Sequence, residues 1–500
     1  MARVVVIGAG AGGLATAARL AAAGHAVTLC EQAGQVGGKL GTYARDGFRF
    51  DTGPSLLTLP QVFAELFADT GEPLDHVLDL VRVTPAARYR FAGGAELDVD
   101  GAEETADRLA ALYGRHAQQA WRAQRAWRAL FRTAGAAWPA VYRQVLSVPP
   151  APLGRLAAQA PALAGPVLRM TPWRSLSTVA ARRFADPRLR AYLERYATYA
   201  GADPRRASAM LAVVPYLEQA FGAWHVRGGL YRIAEALAAR CAALGVDLRL
   251  GTRVARIEVA GGRARGVRLD CGAVLPADIV VANADAAGVY RALLPAGPRR
   301  GTPAALRRGR PSLAGFVLLL GLRGRTHRLA HHTVLFPRRY HAEFDAVFSR
   351  APRPPDDPTM YVCAPDDPSL RPAGHEGWFV LVNAPAHGAG PYHFDWSAPG
   401  VAQRYRDRIL DLLAVRGLPV RDRLLFCEVR TPADLARDAA APGGAIYGAA
   451  PAGPWSSLSR PSNRSPLPNL FLVGGSVHPG GGLPLVALSA KIVAGLIGPA

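Results

Sequence analysis

Between Val4 and Glu31 the chain reads VVVIGAGAGGLATAARLAAAGHAVTLCE, and no other stretch constrains the fold as tightly. The β-branched run at Val4–Ile7 has the character of a buried parallel strand. Gly8, Gly10 and Gly13 follow in G-x-G-x-x-G spacing, then an alanine-rich helical stretch ending at Gly24 and a second strand, AVTLC, closing on Glu31. A strand-helix-strand unit with an acidic residue at the end of its second strand is the dinucleotide fingerprint. The glycines permit a tight turn and let a pyrophosphate approach the N–H groups of the helix start. Glu31 is placed to accept from the adenosine ribose hydroxyls, and a carboxylate there disfavours a 2'-phosphate and hence NADP.

The fingerprint alone leaves NAD and FAD open, and two later stretches bear on the choice. QVGGKLGTY places Gly37, Gly38 and Lys39 shortly after Glu31, a glycine turn that brings backbone amides and one cation toward a phosphate. FRFDTGPSLLTLP carries Asp51, Gly53 and Pro54 at a strand end. Taken singly, these are ordinary turn residues.

In that order, G-x-G-x-x-G, Glu31, GGK and DTGP resemble the flavin amine oxidase superfamily, and more narrowly its bacterial carotenoid desaturases of the phytoene-desaturase type. The likeness runs on through HVRGGLYRIAEAL (residues 225–237), TRVARIEV (252–259), ADIVVANADA (277–286), HHTVLFPRRYHAEF (331–344) and VGGSVHPGGGLPLVALSAKIVAGL (473–496), and is weakest between about 100 and 190. It implies an α/β fold: a discontinuous Rossmann-type FAD-binding domain, a mixed-sheet substrate domain and a helical lid. The expected division is residues 1–75, 225–295 and 441–500 for the FAD domain, 76–224 for substrate binding and the lid, and 296–440 for the substrate domain.

The resemblance also explains a second glycine-rich loop at the far end of the chain. The terminal segment is expected to return to the first unit and complete the flavin site, its helix starting near Pro484, a favourable first helical position. A helix N-terminus beside the isoalloxazine would stabilise the reduced flavin anion. Cofactor contacts are thereby implied for Gly8, Gly10, Gly13 and Glu31, for Gly38, Lys39, Asp51, Gly53 and Pro54, for Val254 on a middle strand, and for Gly475, Ser476, Gly482 and Leu485. Ser476 is a departure, since many relatives outside the carotenoid group carry an acidic residue there. GGSVH is no hydrolase elbow, because His478 stands where the final glycine belongs.

The remaining features bear on partners. Five hundred residues suggest two or three domains. The formal charge of +21 comes almost wholly from arginine, Lys39 and Lys491 being the only lysines; the arginines are scattered and no nucleic-acid motif accompanies them. Five separated cysteines without a C-x-x-C argue against both a disulfide framework and a thiolate metal site, and fit a reducing cytoplasm. The N-terminal apolar run reads as a strand rather than a signal peptide, and no uninterrupted run is long enough to span a bilayer. Residues 103–145 read as helix carrying Trp121, Trp127, Phe131 and Trp138, followed by an apolar, proline-punctuated, arginine-bearing stretch from Ser147 to Trp173. This is either a packed helical subdomain or a lid that rests on a membrane surface and admits a lipid. Asn283 and Asp285 read as a strand end and a helix cap.

No metal site is expected. His331 and His332 are adjacent, and on a strand their side chains would point to opposite faces. No catalytic acid or base can be named. The function expected is FAD-dependent desaturation of an acyclic carotenoid, by hydride loss to flavin N5 and proton loss, with quinone or oxygen as acceptor, at the inner face of the cell membrane. RYATYAGADPRRASA and APGGAIYG lean toward desaturases acting late on hydroxylated chains. Isomerisation, saturation or oxygenation of a polyene, and carotenoid binding without turnover, are the alternatives.

Overall fold

A computed structural model of the chain describes every residue except 151–164, 166, 298–302, 304, 305, 307, 308, 328, 452 and 454–459. Most of the stretch from Ser147 to Trp173 therefore lies outside the described residues. The Val4–Ile7 run forms the middle of a five-stranded parallel sheet whose order is Leu470–Leu472, Ile279–Ala282, Arg3–Ile7, Ala26–Cys30, Asp247–Arg249. Its strands come from the start, the middle and the end of the chain, so the Rossmann-type domain is discontinuous. Burial on both faces explains the unbroken apolar run: Val4, Val5, Val6 and Ile7 are all buried.

The chain leaves Arg3–Ile7 toward one neighbour and returns much later to the other. The carboxyl end of this strand is thus a topological switch point, where open α/β sheets form their ligand crevice. The Ala11–Ala22 helix covers one face, and its run of small residues lets it lie close to the C-terminal helix, Leu483–Ile497. An antiparallel meander, Val254–Ala260, Arg263–Leu269 and Val274–Pro276, precedes the return strand Ile279–Ala282.

The second sheet has seven strands, in the order Leu424–Arg430, Ala314–Arg323, His375–Ala384, Met360–Cys363, His332–Leu335, Ala87–Arg90, Glu96–Val99. All its pairings are antiparallel except that of His332–Leu335 with Ala87–Arg90, so the sheet is mixed. AGFVLLLGL is buried throughout because both faces are covered. Phe316, Leu318, Leu320 and Leu322 meet Trp378, Ile409 and Leu413, while Val317 and Leu319 point the other way toward Phe48, Phe50 and Phe426.

The expected lid helix is two helices, Ala102–Ala111 and Ala117–Val141, the second running into a short π-helical turn at Tyr142–Leu146. Trp127 and Trp138 face the core, whereas Trp121 is 55% exposed. Shorter helices, Leu176–Arg183, Pro187–Glu194 and Val214–Phe221, complete this layer against the edge of the second sheet.

Candidate functional site

The glycine loop sits at the switch point, over Asn283 at the end of the return strand. The Asn283 backbone amide donates to the Ile7 carbonyl at 2.8 Å, and its side-chain amide donates to the Gly8 carbonyl at 3.1 Å. Gly8 has φ +94°, and a Cβ there would lie 2.6 Å from the Asn283 carbonyl oxygen. A Cβ at Gly13 would fall 2.0 Å from the Gly8 carbonyl. Only glycine fits both positions. Gly10 precedes the helix without any side-chain cap, so the first-turn N–H groups stay available to an anion. Asn283 is thus the floor of the loop as well as a strand end. Asp285 caps the following turn by accepting from the Ala287 amide, as its position in the sequence suggests.

Glu31 is buried where β-α-β units hold a ribose; its carboxylate accepts from the Ala9 amide at 2.7 Å and from the Ala33 amide at 2.9 Å. Gly37 donates to the Ala9 carbonyl at 2.8 Å, and Gly38 lies so near Gly10 that a Cβ would be 3.4 Å from its Cα. Gly53 lies against Lys39, where a Cβ would come 1.8 Å from the carbonyl oxygen. The GGK and DTGP turns are therefore stacked on the fingerprint loop, although they are separated in sequence. Pro54 follows Gly53 in that stack, and Val254 is buried at the start of its strand against the same domain's core.

Two of the expected cofactor residues have other partners. The Asp51 carboxylate accepts from the amides of Leu230 and Tyr231 at 2.8 and 2.9 Å, so it holds the start of the helix Arg232–Ala243. Its burial favours the neutral acid, and those two amides oppose that shift. The Lys39 ammonium donates to the carbonyls of Ala445 and Ile446 at 3.0 and 2.8 Å, tying the first turn to the C-terminal piece. Desolvation lowers its proton affinity and Asp285 raises it.

The second glycine loop closes on the first. A Cβ at Gly12 would lie 3.4 Å from the Gly474 Cα and 3.0 Å from the Val486 side chain. Gly482 has φ +105° and opens the Leu483–Ile497 helix, whose first turn carries Pro484 and Leu485. Gly475 packs closely on Gly481, where a Cβ would lie 3.3 Å from the Cα, a tight contact. The Ser476 hydroxyl accepts from the Ala286 amide at 2.9 Å, joining this loop to the middle piece. His478 Nε2 faces the carbonyls of Val145 and Val148 at 2.9 and 3.0 Å and so fastens the loop to the end of the lid.

Beside the DTGP turn lies a buried polar network that the sequence did not disclose. Arg195 donates to the hydroxyls of Tyr89 and Tyr199, each at 3.2 Å, and Glu218 accepts from Tyr196 and Tyr199 at 3.1 and 3.0 Å. Burial pushes the Glu218 carboxyl upward, opposed by the Arg195 charge and both tyrosine bonds. Tyr361 stands within 6.0 Å of the Arg195 guanidinium, and its hydroxyl joins Ser55, just after Pro54, at 2.6 Å and His332 Nδ1 at 2.7 Å. RYATY spaces its aromatic and charged residues at near-helical intervals, but nothing in the sequence pairs them with Glu218 or Tyr89.

The adjacent histidines overturn one expectation. The strand begins at His332, not at His331, so alternation does not separate the two side chains, and their rings lie 4.4 Å apart. His332 is also directly opposite Cys363 on the neighbouring strand. Ligand atoms of His331, His332 and Cys363 lie within 4.8 Å of one another.

The glycines that a Cβ would block, the uncapped helix start and the buried Glu31 suit a flavin dinucleotide held across both loops. The profile of the flavin-containing amine oxidoreductases matches residues 11–498. A hydroxyneurosporene desaturase of Rubrivivax gelatinosus is 37% identical, covering 98% of this chain and 92% of its own. A 4,4'-diapolycopene oxygenase of Methylomonas is 35% identical over 98% and 97%, and a lycopene-forming phytoene desaturase of Paracoccus is 34% identical over 98% and 96%. Among solved structures, an oxidoreductase of Methanosarcina mazei superposes with a TM-score of 0.66 at 18% identity, covering 98% of this chain and 99% of that one. Cyclohexylamine oxidase of Brevibacterium oxydans gives 0.62 at 17% identity, over 99% and 98%. An FAD cradle closed by both ends of the chain, and relatedness along nearly its whole length, lead to one assignment: this chain belongs to the flavin-containing amine oxidoreductases, among the bacterial carotenoid desaturases.

Proposed function

We propose that the protein desaturates an acyclic carotenoid, removing a hydride and a proton from neighbouring carbons beside the conjugated chain. The observation that carries this reading is the full-length likeness to carotenoid desaturases in a chain that keeps both glycine loops of the flavin cradle. Bound FAD supplies the hydride acceptor. Gly8, Gly10 and Gly13 would hold it, with Glu31 for the ribose, Gly38 and the Lys39 turn near the phosphates, and Asp51 holding the DTGP turn against the middle piece. Val254, Gly475, Ser476, Gly482 and Leu485 complete the proposed contacts.

The chain's own contribution to the chemistry is placement. Arg195, Glu218 and their tyrosines couple the lid helices to the strands bearing Tyr89 and Tyr361, which fixes the wall next to the DTGP turn. A desaturation that removes hydride first leaves a delocalised cation whose neighbouring proton is acidic, so a strong base is not required.

The stretches RYATYAGADPRRASA and APGGAIYG, and a relative at 37% identity named hydroxyneurosporene desaturase, support a late-acting 3,4-desaturation of a hydroxylated chain. The oxygenases among the relatives give a second reading, terminal oxygenation of the same class of polyene. Expression in bacteria accumulating phytoene, neurosporene or a hydroxylated acyclic carotenoid separates these. Desaturation gives a red-shifted pigment lighter by pairs of hydrogens, oxygenation gives a heavier one, and unchanged pigment in every host despite flavin-loaded protein defeats both.

The working location in this reading is the cytoplasmic face of the cell membrane, with quinone or oxygen as final acceptor. No helix among the described residues is long and apolar enough to cross a bilayer. Trp121, Leu168 and Trp173 are 55%, 49% and 48% exposed, and Arg125 lies 5.2 Å from the Trp121 ring, a pattern suited to the headgroup region. Flotation with anionic liposomes tests it; protein that stays at the bottom of the gradient at low salt contradicts a peripheral attachment.

A further inference from the structure

The histidine-cysteine cluster lies at the ends of two adjoining inner strands of the seven-stranded sheet, and its geometry follows from register. His332 and Cys363 are cross-strand partners, so their side chains share one face of the sheet. His331 lies just before the strand, where its carbonyl accepts from the Ala364 amide at 2.9 Å, and its ring turns toward that face. His332 and Cys363 are 2% and 3% exposed. The Nε2 atoms of both His331 and His332 are buried and have no hydrogen-bond partner. Two neighbouring orphan imidazole nitrogens beside a thiol are an uncommon arrangement, because buried polar atoms are almost always satisfied.

The surroundings resemble those of ligating histidines. His332 Nδ1 is engaged by the Tyr361 hydroxyl at 2.7 Å, leaving Nε2 as the free donor. The His225 ring lies 4.9 Å from that of His331, and His225 Nε2 is itself bonded to Asp367 at 3.0 Å, so His225 braces the cluster. Such bonds to the second ring nitrogen set the tautomer that a metal needs.

We propose that His331, His332 and Cys363 form a binding site for one borderline-soft divalent cation, zinc by its donor set. Two imidazoles and one thiolate are three of the four ligands of a tetrahedral zinc centre, the fourth position being left to water. Burial pushes the His331 imidazole down to about 3, with His225 adding to that shift; it also holds His332 neutral and the Cys363 thiol protonated. The two unpartnered Nε2 atoms face the thiol, and metal binding would displace the thiol proton to solvent. Asp366 and Asp367 favour a cation at His331, Arg195 opposes one at His332, and the thiolate charge offsets that opposition. The ion would pin the two strands and, through His332 and Tyr361, the Ser55 end of the DTGP turn.

The test uses the flavin-loaded full-length enzyme after dialysis against a chelator, titrated with zinc chloride against a chromophoric competitor. The expected result is one tight zinc per chain. Cobalt chloride on the unmutated protein should give a thiolate-to-cobalt charge-transfer band and d–d bands of tetrahedral intensity, which report the cysteine without any variant. Cys363→Ser should abolish tight binding, Tyr361→Phe should weaken it about 10- to 100-fold, and Cys271→Ser, at an exposed cysteine, should leave it unchanged. No stoichiometric zinc in the unmutated protein, cobalt spectra without thiolate character, or full binding by Cys363→Ser would each overturn the site. Should Cys363→Ser fail to fold, the cobalt spectrum and His331→Gln decide.

Discussion

The flavin cradle and the polar network beneath the lid are both buried and both built from distant parts of the chain, yet they are held together by different physics. The cradle is made of backbone: glycines that permit close approach, amides left unbonded at a helix start, and one acidic side chain at a strand end. The network is made of side chains, with Arg195 and Glu218 taken out of water and compensated by tyrosine hydroxyls, by tyrosine rings near the guanidinium and by each other's field. Backbone geometry tolerates no added atom, whereas a side-chain network tolerates paired replacement but not the loss of one member. The two regions should therefore respond oppositely to mutation.

The largest expected effect is in the network. Arg195→Met leaves the buried Glu218 without its cation and should cost about 3–5 kcal/mol of stability. Glu218→Gln added to it should recover much of that loss, so a double-mutant cycle in denaturant unfolding should show strong coupling. Additive losses would mean that the network is not a unit. In the cradle, Gly13→Ala puts a methyl against the Gly8 carbonyl and should cost about 1–3 kcal/mol, with loss of bound flavin measured as absorbance per mole of protein. No second-site change nearby should restore it, and flavin content equal to the parent would remove the steric argument.

Asp51 lies between these two cases, because its charge serves a backbone. Asp51→Asn keeps the shape but can satisfy the Leu230 and Tyr231 amides less well, at a cost of about 1–3 kcal/mol, visible as a lowered thermal midpoint and weakened flavin retention.

The smallest effect concerns pH. The bond from Glu194 to His341 raises the affinity of that imidazole for its proton above the ordinary value. A raised folded-state pKa gives stability that is fully present below the unfolded value and is lost as pH rises through the folded one. His341→Gln should therefore lose slightly more stability at acid than at neutral pH, by well under about 1 kcal/mol for a half-exposed pair. A larger loss at neutral pH would contradict the assigned direction.

The contrast also explains what could be read in advance. Gly8, Gly10, Gly13 and Glu31 announce themselves because backbone constraints select residue types at fixed spacing, and the order of motifs extended that to the GGK and DTGP turns. The buried parallel strand at Val4–Ile7 and the helix after Gly482 follow from an apolar run and turn residues. Partners across sheets do not. That Asp51 holds a helix start, that Lys39 reaches the carbonyls of Ala445 and Ile446, and that Glu218 meets Tyr199 depend on tertiary register, which no local pattern encodes. The histidine pair shows the same limit in miniature: the strand starts at His332, one residue later than alternation across the pair requires, and no local pattern marks the cross-strand neighbour Cys363.

Anaerobic mixing of the flavin-loaded enzyme with an acyclic carotenoid, followed by absorbance and product mass, tests the central claim most directly. The account predicts bleaching of the flavin in step with a product lighter by a pair of hydrogens. An unbleached flavin with every acyclic carotenoid tried, in a protein whose flavin is bleached by an amine, would contradict it.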